Sequence, residues 1–437
     1  MKPSSDDGSL PGALAGVKVV EFAQAMAVPV CGQLLADMGA EVIKVEPPAG
    51  DAFRHTQAPV VPNESKGYIV LNRGKRGVCL DVTRPEAAPV VEKLVRWADV
   101  VLVSLKPSDL PRYGLTYDHL AAINPPIIYL DHIPNGPEGP VGQDGGYDVI
   151  VQGRSGIGAI TARANGDAPI SVRPAYMDTG TGFLSALAVV AALRHRDRTG
   201  EGQRVQTSLL STALALGNQL ISWFAATDPP IDAAFARELA EVSAAGGDYE
   251  AHRAVYEKHY LRGGYGNIYF RHYRSKDGFV SVGCLSPVLN ARFRKVTGVT
   301  DPRQTPGFDG STPEGYDALT ALLRTAEDLF KTRTTHEWID LLRAGGVPCG
   351  PFNFPSQVWD DEQILANEFV VELEHPLLGA YKTFAPPIRM DRTPTRIRSS
   401  SPLLDADTDA VLAEIGFAGA EIASLRATGV TGAESRP

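Results

Sequence analysis

Cysteine, positive charge and long apolar runs are all scarce in this sequence, and each scarcity removes a class of protein. Four cysteines, Cys31, Cys79, Cys284 and Cys349, stand apart with no Cys-x-x-Cys pair. That argues against a disulfide framework or a thiolate zinc site and fits a reducing compartment, the cytoplasm. Lys and Arg number 42 against 51 Asp and Glu, a formal net charge of -9, so neither nucleic acid nor an anionic membrane is expected as a general partner. The longest helical apolar stretch, near Phe183 to Leu193, is read as too short to span a bilayer, and Met1 to Gly12 is polar without the apolar core of a secretory leader. Nine dispersed histidines without His-Glu-x-x-His imply no metal. After the first predicted strand, Ala23-Gln24-Ala25-Met26-Ala27-Val28-Pro29 lacks the dinucleotide glycine fingerprint, and Gly74-Lys75-Arg76 lacks the Ser/Thr and earlier glycine of a phosphate loop. Gly153-Arg154-Ser155-Gly156 fails the last position of a nucleophile elbow.

What the chain does have is apolar mass and periodicity. At 437 residues it exceeds one ordinary core, and a hydrophobic fraction of 43% fills two. From Val17, strand and helix patterns alternate: Val17 to Phe22 as strand, Ala25 to Met38 as helix, Glu41 to Glu46 as strand. The alternation continues with a strand near Gly77 to Val82 and a helix from Pro85 to Ala98 opened by the box Thr83-Arg84-Pro85-Glu86. A strand at Val100 to Ser104, a helix near Tyr117 to Ile123 and a strand at Ile127 to Leu130 follow. This predicts an α/β fold: a Rossmann-like large domain with a mostly parallel sheet, its ligand site beyond the carboxyl ends of the strands. Long helices near Gly182 to His195 and Val205 to Phe224 are expected to close that part of the domain, residues 1–225. Pro229-Pro230 breaks the chain, and the charged, Ala-rich Ile231 to Tyr260 reads as a helical insertion or linker. Ile268 to Tyr273 and Phe279 to Cys284 flank Ser275-Lys276-Asp277-Gly278, a hairpin with an Asp-Gly turn. With helices near Tyr316 to Phe330 and His336 to Leu342, residues 226–384 read as linker and a smaller α+β domain. Helical runs near Asp409 to Ile415 and Ala420 to Leu425 return residues 385–437 to the large domain.

Two segments carry candidate chemistry. Asn72-Arg73-Gly74-Lys75-Arg76-Gly77 places three cations in a glycine-flanked stretch, with Lys44, Arg54, Lys106 and Arg112 near the ends of neighbouring elements. Such a cluster suits a diphosphate, because Arg offers forked donors, Lys a mobile charge and glycine close backbone approach. A solvated surface loop has the same composition. Asp178 lies in Pro174-Ala175-Tyr176-Met177-Asp178-Thr179-Gly180-Thr181-Gly182, ahead of an apolar helical run. An aspartate there is suited to cap the helix. It is also suited to lose hydration beside Met177 and act as a nucleophile near amides that stabilise an oxyanion. Arg262-Gly263-Gly264-Tyr265-Gly266-Asn267 reads as a plain loop or as a lid.

Leu14-Ala15-Gly16-Val17-Lys18-Val19-Val20-Glu21-Phe22, then Leu35-Ala36-Asp37-Met38-Gly39-Ala40-Glu41-Val42-Ile43-Lys44-Val45-Glu46 and Gly50-Asp51, resemble the opening of the class III CoA-transferases. The resemblance continues through Asn72 to Arg76, Arg112-Tyr113-Gly114-Leu115, Gly146-Tyr147-Asp148, Asp178 to Gly182 and Arg196 to Gln203, and runs in weaker form to the end of the chain. It implies a Rossmann-like large domain, a smaller α+β domain and a homodimer of two interlocked ring-like protomers. It also implies a nucleophile at Asp178 that attacks an acyl-CoA thioester, with coenzyme A or acyl-CoA as co-substrate and a small carboxylic acid as partner, and no tightly bound cofactor. Lys44, Asn72, Arg73, Lys75, Arg112, Tyr113 and Tyr147 would bind CoA, with Lys75 and Arg112 along its phosphates and adenine and Tyr147 near the thioester end. Met26, Ala27 and Thr179 would stand beside the substrate, and Gly263, Gly264 and Gly266 would form a lid.

The sequence departs from the family at Leu105-Lys106-Pro107-Ser108, where an aromatic-Arg-Pro-Gly is common, and at Ala27-Val28-Pro29, where Ala-Gly-Pro is common. Lysine does not reproduce an arginine fork. Two alternatives share the resemblance. Racemases of α-methylacyl-CoA have the same fold and usually place His where Tyr147 stands; a phenol, ionising near 10, is a poor base at neutral pH, which favours transfer. The other is a CoA-ester-binding protein in which Asp178 is only a cap.

Overall fold

The structure is a computed structural model and describes residues 10–56, 59–61, 63–260, 267–310 and 312–434. Runs rich in Val, Ile and Leu form four of six strands, β1 (Lys18–Ala23), β2 (Glu41–Glu46), β4 (Val100–Ser104) and β5 (Ile128–His132), while β3 (Lys75–Cys79) and β6 (Gln203–Thr207) are more polar. All pair in parallel, in the order β6-β5-β4-β1-β2-β3. Alternate residues feed opposite cores, as the pleat requires. Val20, Ile43, Val101 and Val103 join Val91 and Leu94 of α2 (Ala88–Trp97) together with Val411 and Leu412. On the other face Val19, Val42, Val100 and Leu102 meet α1 (Ala27–Asp37) and Val189 and Leu193 of a later helix. Helices on both faces explain why the central strands read as near-continuous apolar runs.

The contacts divide the chain into two compact units, Met1–Ser222 with Glu368–Pro437, and Trp223–Asn367. The hairpin Val370–His375 and Gly379–Phe384 therefore groups with the first unit. In the second unit, Phe270–Arg274, Phe279–Gly283 and Cys349–Pro351 form an antiparallel sheet, and Arg274 pairs with Phe279 around the Asp-Gly turn. Its core is a stack of rings: Tyr273 on Phe330 at 3.9 Å and Phe330 on Trp338 at 4.5 Å. Residues 231–260 fall mostly within two helices, Pro229–Ala244 and Tyr249–Tyr260.

Three local expectations change. The stretch from Val205 is not helical at its start: Gln203 to Thr207 alternates in exposure as edge strand β6, tied to β5 by Arg204 Nε donating to Asp131 at 2.9 Å. The helix α5 (Leu209–Gly217) begins only where Ser208 caps it. Thr83 does not cap α2; its hydroxyl and amide both donate to Asp81, and a short 3-10 turn precedes the helix. The helix expected from Gly182 begins at Tyr176 and runs to Thr199. At 24 residues it is long and apolar enough to cross a bilayer by length and composition, which corrects the shorter stretch read from the sequence. It packs along α1, however, and buries Met177, Ser185, Ala186, Val189 and Leu193. Gly182 permits this contact, since a Cβ there would lie 2.5 Å from Val30 and 2.7 Å from the Ala27 carbonyl oxygen.

Charges are embedded in the apolar sheet. Glu21 of β1 is fully buried and accepts from Lys44 Nζ at 3.1 Å and Lys75 Nζ at 2.8 Å. Lys44 also pairs with Asp51 at 2.9 Å and donates to the Ala23 carbonyl at 2.8 Å. Lys75 also donates to the Pro29 carbonyl and to Asn72, both at 2.9 Å. Burial works against charge on Lys44, yet Asp51 and Glu21 outweigh it and its pKa is raised; on Lys75 burial wins and the pKa falls to about 8. Beside this cluster, Arg54 is held by Glu46 and Glu64 and stacks over Tyr68 at 3.5 Å. Lys44→Met removes one partner from Glu21 and one from Asp51, and is expected to cost about 3–5 kcal/mol in urea unfolding, the range for a buried pair broken on one side.

Candidate active site

A doubly wound parallel sheet opens a crevice where its strand order reverses. Here that point lies between β1 and β4, and a cavity of about 840 Å³ occupies it. Gln24 to Ala27 after β1 and Ser104 to Pro107 after β4 form part of its wall, with His132 at the end of β5. The loop after β1 is fixed by the buried charges: Lys44 and Lys75 hold the Ala23 and Pro29 carbonyls, and the Ala25 amide donates to Asp51 at 3.1 Å. Ala25 itself sits at φ 65.

The opposite wall is built by α3 (Asp148–Arg154) and by the start of the long helix, α4 (Tyr176–Thr199). Asp148 Oδ2 accepts from the amides of Met177 at 2.9 Å and Asp178 at 3.1 Å. The first-turn amides of α4 are thus satisfied by a carboxylate from another helix, and Asp178, third residue of α4, is not its cap. One turn after Asp148, Gln152 donates to Asp148 Oδ1 and to the Val172 carbonyl at 3.1 Å, and accepts from the Val172 amide at 2.9 Å. The Asp178 carboxyl lies in the cavity wall. Burial, then the nearby Asp148 carboxylate, push its pKa from 3.8 up to about 7. His132 is buried, which lowers its pKa to about 4 and keeps the imidazole neutral. Lys106 and Arg173 are the cations among the residues lining the cavity.

The expected site residues separate into groups. Asp178, Met26, Ala27 and Tyr147 come together in this cavity, and Tyr147 is 70% exposed. Thr179 follows Asp178 without lining the cavity. Tyr113 lines an adjoining cavity of about 140 Å³ that shares Gln24 and Leu105 with the larger one, and exposed Arg112 donates to the Tyr113 hydroxyl at 2.7 Å. Lys44, Asn72, Arg73 and Lys75, expected to bind CoA, line neither cavity. All four are buried; Arg73 Nη2 pairs with Asp37 at 2.7 Å, and its guanidinium also donates to the Phe384 carbonyl. Their donors are committed inside the protein, so no phosphate reaches them without breaking ion pairs. Gly263, Gly264 and Gly266 lie outside the described residues.

Sequence reasoning gave no role to Asp148, Gln152, His132 and Arg173. His132 had one usable signal, its place at the carboxyl end of a predicted strand. Asp148 and Gln152 act across elements 20 to 30 residues apart, and no local pattern announces that.

A family model described as CoA-transferase family III matches residues 14–408. Over 420 residues the chain is 33% identical to a succinate–glutarate CoA-transferase of Agrobacterium fabrum, covering 92% of this chain and 95% of that one. It is 30% identical to a formyl-CoA:oxalate CoA-transferase of Rhodopseudomonas palustris, covering 96% and 97% respectively. Among solved structures it resembles a CAIB/BAIF family protein from Brucella suis, with TM-score 0.71, 28% identity, and 93% and 100% of the two chains covered.

A raised carboxyl pKa also marks stability. Folding favours neutral Asp178, so its stabilising share is complete below the ordinary value of 3.8 and is lost as pH rises through about 7. Asp178→Asn removes that loss. The variant is expected to gain melting temperature over the native protein at pH 8 and to show a much smaller difference at pH 4, measured by thermal scans across that range.

Proposed function

We propose that this chain, which belongs to CoA-transferase family III and is a CoA-transferase, exchanges coenzyme A between carboxylic acids through covalent intermediates on Asp178. The observation that carries this reading is the division of labour at the start of α4. Asp148 accepts the helix amides, so the Asp178 carboxylate faces the cavity with no capping duty. An Asp178 oxygen attacks the acyl carbonyl carbon, the C–S bond breaks, and a mixed anhydride and CoA thiolate result. The thiolate then attacks the Asp178 carbonyl, releasing the first acid as carboxylate and leaving an aspartyl-CoA thioester. The acceptor carboxylate attacks that thioester, forming a second anhydride and again freeing thiolate. Thiolate attack on the acceptor's carbonyl yields the new CoA ester and restores Asp178. No net proton is consumed, and one difficult exchange becomes four easier steps.

The shape of the site supports an extended ligand. The small cavity at Tyr113 and the large one at Asp178 adjoin through Gln24 and Leu105, giving CoA a path from Arg112 and Tyr113, past Lys106, to the nucleophile. This replaces the CoA contacts expected of Lys44 and Lys75. Transfer is favoured over racemisation because His132, the imidazole in the cavity, is too weakly basic to remove an α-proton. A homodimer is part of the reading: α4 and α5 carry exposed Phe183, Leu184, Leu187, Leu214 and Leu216, an apolar face of the kind that a second copy covers.

Incubation with an acyl-CoA and hydroxylamine should leave a hydroxamate on Asp178, detected by peptide mass spectrometry; an unmodified Asp178 during turnover would sink the covalent reading. Asp178→Ala is expected to abolish exchange while remaining folded. Because the nucleophile is the carboxylate, the rate of acyl-enzyme formation should rise with pH to a plateau with a midpoint near the Asp178 value of about 7.

A further inference from the structure

We propose that Arg173 selects the acid by holding a second carboxylate, so that the preferred CoA acceptor is a dicarboxylic acid; this rests on Asp178 as the site of exchange. Arg173 is exposed in the cavity wall, and among the described residues its guanidinium has no hydrogen bond or ion pair. The backbone on both sides of it is nevertheless pinned. Gln152 holds the amide and carbonyl of Val172, and Asp148 holds the amides of Met177 and Asp178. One polar pair thus fixes the segment carrying the unpaired cation and the segment carrying the reactive carboxyl.

The other lining cation, Lys106, follows Leu105, which is shared with the small cavity at Tyr113. Both cations line only the large cavity, but Arg173 follows Val172 on the wall that Gln152 and Asp148 pin together with the Asp178 amide. Lys106 therefore belongs to the CoA path and Arg173 to the acid end. The carboxylates that line the same cavity make no ion pair with Arg173: Asp148 is engaged by two amides and Gln152, Asp178 is the reacting group, and exposed Asp144 makes none with it. A monocarboxylic acid commits its one carboxylate to the reaction at Asp178 and leaves the guanidinium to water. A dicarboxylic acid presents a second carboxylate to planar, forked donors, the geometry guanidinium binds best.

The test uses butyryl-CoA as donor, whose acyl group carries no second carboxylate, with succinate against butyrate and glutarate against valerate as acceptors. The native enzyme is expected to show the lower acceptor KM for the dicarboxylic acid of each pair. Arg173→Met should raise dicarboxylate KM by about ten-fold or more, the scale of a lost hydrogen bond to a charged group. It should leave monocarboxylate and donor KM nearly unchanged, and Arg173→Lys, with charge but no fork, should fall between. Equal effects on both acid classes, a rise confined to butyryl-CoA KM, or a native preference for monocarboxylates would each overturn the proposal. Hydroxylamine trapping with butyryl-CoA separates this from the nucleophile assignment. Arg173→Met should label Asp178 as the native enzyme does, whereas absence of label in both counts against Asp178 and leaves the acid preference to judge Arg173.

Discussion

Glu21 places a carboxylate at zero exposure on the central strand of a parallel sheet, and the rest of the site is built around its neutralisation. An isolated buried carboxylate is prohibitively unfavourable. Lys44 from the next strand and Lys75 from the strand beyond supply the countercharge. Gly32 of α1 leaves the room, since a Cβ there would stand 2.0 Å from a Glu21 oxygen. An apolar trio of the same volume would pack as well, yet it would offer no donors to the Ala23 and Pro29 carbonyls. The ion cluster therefore does more than fill the sheet: it fixes the turn from β1 into α1, and that turn is a wall of the cavity.

The second wall follows the same logic with one charge and one amide. Asp148 receives the free amides of a helix that begins 28 residues later in the chain, and Gln152 locks both Asp148 and Val172. Because the cap comes from outside the helix, the carboxyl in its first turn is released from the role that aspartate usually has there. The same arrangement places one carboxylate near another in a partly dry site, and the outcome is a carboxyl group whose pKa is pushed up to about 7. Fixed backbone, a released carboxyl and its raised pKa are three consequences of one contact.

Much of the fold was legible because its signals are local. The strands at Glu41 to Glu46 and Val100 to Ser104 and the helix at Tyr117 to Ile123 coincide with their expected bounds, since β-branched runs and apolar periodicity are written in consecutive residues. The misread strand β6 shows the opposite case. Gln203 to Thr207 carries one apolar residue, Val205, and its strand state is imposed by pairing along β5. Thr83 had the composition of a cap, but Asp81 competes for its hydroxyl and amide.

The site divides along the same line. By itself the sequence determined which residue types were present: an aspartate before an apolar helix, three cations among glycines, and strands whose ends define a crevice. Tertiary structure decided what those residues do, because burial and pairing are relations between distant segments. It turned Arg73 and Lys75 from apparent anion ligands into internal counter-ions, since Asp37 and Glu21 reach them from other elements. It also moved the helix cap from Asp178 to Asp148, which left Asp178 facing the cavity. A charge in sequence has no dielectric and no partner until the fold supplies both.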